Sequence, residues 1–194
     1  MKFRNMLLGA LMVYSGSGFA ASWVFDEAHS AADFSIRHMM VTNVKGTVTG
    51  IKGAVEIDDK DLTKSKVDVT LNVSSLDTRN QKRDEHLRSP DFFDAQKFPE
   101  MKFVSKKVQK DGKNLKVTGD LTIKGITKSV TMLVDGPSPA VKDPWGKTKR
   151  GLSATTTLSR KDFGITWNKN LDGGGVVLGD DVKVSIEAEL EPKA

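Results

Sequence analysis

Three histidines, His29, His38 and His86, are the side chains best placed to do acid–base or metal chemistry near neutral pH. None pairs with another at a metal-ligand spacing. The chain has no cysteine, so no zinc site, thiol nucleophile or disulfide is expected. No serine sits in a nucleophile-elbow motif. The acids fall on scattered strand positions, so no catalytic carboxylate pair can be drawn. Gly173-Gly174-Gly175 lies between strands with no helix after it, and reads as a turn rather than a phosphate loop. No catalytic residue, metal or cofactor is expected.

A different chemistry is concentrated in residues 79–103. Arg79, Arg83 and His86 recur at spacings of four and three, the repeat of one helix face. Phe92, Phe93 and Phe98 follow at once. Cations beside apolar rings suit an amphipathic ligand with a polar or anionic head. The plainer alternative pairs Arg83 and Arg88 with Asp84, Asp91 or Asp94 and uses the rings to cap a core. Upstream, Phe34-Ser35-Ile36-Arg37-His38 puts Phe34, Ile36 and His38 on one strand face. His38 is then either a satisfied core histidine or a polar group aimed into a cavity.

These residues need strands to position them, and period-two alternation dominates the chain. Val67, Val69, Leu71 and Val73 share one face of 66–73. Leu115, Val117, Leu121 and Ile123 share one face of 114–124. Val182, Val184, Ile186, Ala188 and Leu190 share one face of 182–191. Weaker strands are expected near 31–40, 46–58, 100–108, 127–135, 150–159 and 163–168. Asp111-Gly112 and Lys124-Gly125 mark hairpins, and Gly53 inside a strand suggests a bulge. Thr78-Arg79-Asn80-Gln81 reads as a capping box opening a short helix near 79–88, ended by Pro90. Leu87 is its one apolar residue, so the helix is not a core helix: it lies over something or stands at an opening. The fold class is all-β: an antiparallel barrel of about eight strands, closed because a long free edge is a liability.

Lys2 and Arg4, an apolar stretch from Met6 to about Val13, and small residues up to Ala20 have the order of a secretory signal peptide. Cleavage after Ala20 leaves residues 21–194 as one domain in the periplasm or outside the cell. The net charge is +5 over the whole chain and is spread without a basic block. Nucleic acid is therefore not an expected partner.

The chain also resembles the YceI-like family of exported lipid-binding proteins. The resemblance rests on His29-Ser30, on 34–38, on Val44-Lys45-Gly46 and on Ser75-Leu76-Asp77-Thr78-Arg79-Asn80. It continues through Arg83-Asp84-Glu85-His86-Leu87-Arg88-Ser89-Pro90-Asp91-Phe92-Phe93-Asp94, Lys97-Phe98-Pro99, 119–128 and 160–165. It implies an elongated, lipocalin-like barrel, usually periplasmic and non-enzymatic. Such barrels hold polyisoprenoids, isoprenoid quinones or fatty amides in a central tunnel. The expected wall is Phe34, Ile36, His38, Val69, Leu71, Phe92, Phe93, Phe103, Leu121, Ile123, Trp167 and Ile186. Arg79, Arg83 and His86 are expected at the head group. The expected partner is a hydrophobic lipid, and both a transient membrane contact and a homodimer are compatible with it. The rivals are a filled barrel with no ligand and an enzyme acting on a lipid head group through His38 or His86.

Overall fold

The computed structural model describes residues 20–193, so the expected signal peptide falls outside the described residues except for Ala20. The strands are β1 Ala21–Phe25, β2 Ala31–His38, β3 Thr42–Val48, β4 Ile51–Ile57, β5 Lys66–Asn72 and β6 Glu100–Asp111. They continue as β7 Asn114–Ile123, β8 Ile126–Asp135, β9 Val141–Lys142, β10 Thr148–Ser159 and β11 Leu178–Pro192. The single α-helix among the described residues is α1, Gln81–Arg88.

The pairings run β11–β1–β4–β5–β6–β7–β8–β10 and return to β11, all antiparallel. The barrel is thus closed on eight strands. The long strand β11 also pairs with β2 over residues 178–187, and β3 lies outside β2. Closure is thinnest at two seams of three pairs each, β8 with β10 (Leu133↔Thr155, Val134↔Ala154 and Asp135↔Ser153) and β1 with β11 (Trp23↔Pro192, Val24↔Glu191 and Phe25↔Leu190).

Alternation dictates what faces inward. In β7, Leu115, Val117, Gly119, Leu121 and Ile123 are buried while their neighbours are not. Trp23, Val55, Ile57 and Leu190 form a separate buried cluster at the end of the barrel remote from α1. The Arg150 guanidinium lies over the Trp23 ring there, 5.1 Å from its centroid.

Several expectations change. The strand near 46–58 is two strands, because the chain turns at Thr49-Gly50, with Gly50 at φ 68°. Gly53 is not a bulge. Its register against β5 is unbroken, but its φ is 125° and an added Cβ would sit 2.2 Å from the Asp68 carbonyl. The helix begins at Gln81, not Arg79. Asn80 caps it by accepting from the Arg83 amide at 3.0 Å, while the Thr78 hydroxyl is drawn to buried Asp84 at 2.5 Å. Arg79, at φ 62°, precedes the helix and shares no helical face with Arg83 and His86. Residues 163–168 form no strand. Arg160–Phe163 is a 3-10 turn, and the segment after it runs without a ladder.

Candidate functional site

The inward faces of the strands do not meet at the centre. They enclose an elongated cavity of about 530 Å³. That is far larger than the water-sized voids of ordinary cores and within the range of small-molecule pockets.

Phe34, Ile36 and His38 from β2, Val69 and Leu71 from β5, and Phe103 from β6 all stand on its wall. So do Leu121 and Ile123 from β7, Ile186 from β11, and Phe92, Phe93 and Trp167 from the connecting segments. Every wall residue expected from sequence is therefore brought to one space. Arg83 and His86 reach it too. Arg79 does not; it lines an adjoining polar groove with Lys45, Asp77 and Lys183, which shares Phe34, Val44 and Arg83 with the cavity. Sequence reading missed Lys82, Met132, Leu158 and Val177, which also line the cavity.

The end under α1 is built from rings. The His86 imidazole meets Phe92 edge-on at 4.9 Å and Trp167 edge-on at 5.1 Å, and Phe92 lies 5.3 Å from Trp167. Its Nε2 lies 2.9 Å from an Asp91 carboxylate oxygen, which fixes the ring. Among the described residues Arg83 pairs with no acid. Its Nε donates to the Thr78 hydroxyl at 2.7 Å and its Nη2 to the Thr78 carbonyl at 2.8 Å. Arg88 donates to the Leu76 carbonyl at 2.6 Å. The arginine–carboxylate pairs that sequence offered as an alternative do not form; the acid of this end that pairs is Asp91, and with His86.

Trp167 is held by Arg160, whose role gave no signal in its own spacing. The Arg160 side chain is buried, donating from Nη1 to the carbonyls of Ile165 at 2.7 Å and Trp167 at 2.9 Å. Its Nε donates to Gly179 at 2.8 Å. These bonds replace the missing ladder of 163–168, so the alternation of Phe163, Ile165 and Trp167 turns apolar side chains inward without a strand. Burial lowers the guanidinium pKa, and Asp180 at 3.2 Å opposes that shift.

A second polar cluster lies away from the cavity. Asp26, His29 and Glu189 converge at metal-ligand distances, an arrangement their sequence separation hid. The Lys149 ammonium occupies it, 2.6 Å from Asp26 and 2.7 Å from Glu189, with Glu191 also in contact. That charge holds the Asp26 carboxyl well below the usual carboxylate range, and Asp26, Glu189 and Glu191 in turn raise the Lys149 pKa. The set already has its cation.

Residues 23–190 match the family model described as a YceI-like domain. The chain belongs to the YceI-like family. It is 41% identical over 169 residues to UPF0312 protein SAS2572 of Staphylococcus aureus (strain MSSA476), covering 87% of this chain and 96% of that one. A Campylobacter jejuni YCEI protein superposes with a TM-score of 0.67 at 34% identity, over 82% of this chain and 91% of that one. Burkholderia cenocepacia BcnA (TM-score 0.72, 22% identity, 85% of this chain and 98% of that one) shares the fold. So does a polyisoprenoid binding domain from Saccharophagus degradans (TM-score 0.61, 13% identity, 90% and 99%).

In this YceI-like domain the 44–46 and 75–94 motifs meet at the α1 end, while His29-Ser30 lies apart in the Lys149 cluster. Gly46 of Val44-Lys45-Gly46 has no room for a side chain: a Cβ would lie 2.5 Å from the Phe34 ring and 2.7 Å from the Thr78 methyl. Gly46 therefore lets Phe34 of β2 and Thr78 of the α1 approach share one spot.

Proposed function

We propose that this protein is an exported lipid carrier holding one long apolar chain, a polyisoprenoid or an isoprenoid quinone, inside the barrel. It serves transport, storage or sequestration in the periplasm. The observation that carries the reading is the cavity, apolar along its length, with Arg83, His86 and Lys82 gathered at the end under α1.

An isoprenoid chain that enters this cavity leaves water and gains about 0.8 kcal/mol per buried methylene-sized group. The bond from His86 to Asp91 fixes the imidazole, which suits a hydrogen bond to a head group. The binding partner named for the domain from S. degradans has the chemistry this cavity fits.

Titrating delipidated protein with an isoprenoid quinone while following tryptophan fluorescence tests the reading. Saturable quenching is expected, lost when Trp167 is replaced by Phe because the indole stands at the cavity. Quenching that rises linearly without saturation contradicts it.

A further inference from the structure

A long isoprenoid is almost insoluble in water, so a carrier must meet a bilayer to load or release it. Three consecutive apolar residues are exposed at the turn between β2 and β3: Met39 at 45%, Met40 at 53% and Val41 at 75%. The turn closes with the Val41 amide donating to the His38 carbonyl at 3.1 Å. Its two central residues both have positive φ, 49° for Met39 and 60° for Met40. Asn-Gly or Gly-Gly suits that geometry, and a long side chain does not. This chain places two methionines there and shows them to solvent, so folding does not account for the choice.

The turn is continuous with the cavity. His38, next to Met39, is on the cavity wall. The Met39 amide donates to the carbonyl of Val177, another wall residue, at 2.7 Å. One cation is at the tip: Arg37 donates to the Met40 carbonyl at 2.7 Å. Exposed Lys169 is on the adjoining segment, and its backbone carbonyl accepts from the Val177 amide at 2.9 Å. The nearby acids are Asp172 in the 171–175 loop and, in the β11 bulge opposite Arg37, Asp181 and Asp180, the last paired with Lys161 and Arg160. An exposed apolar tip with Arg37 at its base has the polarity of a surface that sits in a lipid interface, the arginine meeting an anionic head group.

We infer that the Met39-Met40-Val41 turn inserts into the interface of an anionic bilayer and sets the α1 end of the cavity against it for lipid exchange. The inference rests on the carrier reading for its purpose, while the contact itself can be tested alone.

The test is flotation of the mature protein with phosphatidylethanolamine–phosphatidylglycerol vesicles, run beside Met39→Asn/Met40→Gly and Trp145→Ser. The double variant suits the turn better than the native pair, so it should melt no lower than wild type. It is expected to lose about tenfold in vesicle affinity, as befits removing two large apolar side chains from the interface. Trp145, 85% exposed on the loop between β9 and β10 at the opposite end, serves as the control and should float as wild type does. Absence of wild-type flotation, equal flotation of the double variant, or loss through Trp145→Ser overturns the inference. In vesicle-free buffer, a soluble farnesyl fluorophore should bind wild type and double variant alike. If it binds neither, the carrier reading fails and the bilayer contact stands on flotation alone. If the double variant loses the fluorophore as strongly as it loses vesicles, the turn belongs to the cavity and the inference fails.

Discussion

His86 and Trp167 meet edge-to-face, 5.1 Å between centroids at an interplanar angle of 90°, although one comes from the helix and the other from a segment with no regular structure. Their contact joins the two polypeptide segments that cover the α1 end of the cavity. How firmly it is held should set how fast a ligand leaves.

Arg160 holds Trp167 in place, so Arg160→Lys should loosen the cover. An ammonium cannot reproduce the planar fork that serves the carbonyls of Ile165, Trp167 and Gly179. Leaving buried carbonyls unpaired costs about 1–3 kcal/mol. Urea unfolding should show a lower midpoint with an unchanged slope. Release of a bound fluorescent prenyl probe should accelerate in the same variant.

Ile36→Trp and Leu71→Trp each place an indole in the cavity. In a filled core such overpacking costs about 1–3 kcal/mol. Here the space absorbs the ring, so both variants should melt close to wild type while holding less extracted lipid. A large drop in melting temperature with lipid content unchanged would place these side chains in a packed core instead.

Gly46→Ala should be harmful out of proportion to one methyl group. Phe34 and Thr78 both lie within 2.7 Å of the new carbon; the Phe34 ring must turn into the cavity, and the Thr78 methyl is held because its hydroxyl is bound to Asp84 and Arg83. The expected loss is about 1–3 kcal/mol. Circular dichroism melts check it, and Phe34→Leu on the same background should restore part of the loss.

The Lys149 cluster sets an acid limit. Asp26 has a lowered folded pKa, so its charge contributes stability above the unfolded value near pH 4, and that contribution is lost as pH falls through the folded value. Lys149→Met leaves Asp26, Glu189 and Glu191 crowded without a cation. The stability gap between wild type and variant should be widest at neutral pH and narrow below about pH 4 as the carboxyls take up protons. Urea midpoints at neutral and acid pH measure it. A gap independent of pH would show that the lysine acts only through packing.

Much of the barrel was legible because one wet face and one apolar face force a period of two. The strand residues on the cavity wall follow from that period, which is why Val69, Leu121 and Ile186 all arrive there. Period cannot tell a filled interior from a hollow one, since both ask for the same inward side chains. The misreadings share a cause. Thr78 looked like a cap until Asp84, six residues away, took its hydroxyl. Residues 163–168 looked like a strand until Arg160 took their carbonyls. In each case a side chain competed with the backbone pattern, and only the folded chain brings the competitor near. The cluster of Lys149 with Asp26 and Glu189 was hidden for the same reason.

Native mass spectrometry of the mature protein purified from the periplasm without detergent tests the central claim most directly. The account predicts one bound molecule per chain, released on activation as a mass that fits a polyisoprenoid or an isoprenoid quinone, and absent from Leu71→Trp. Wild-type protein that appears only at its bare polypeptide mass, and remains so after incubation with prenyl lipid, would contradict it.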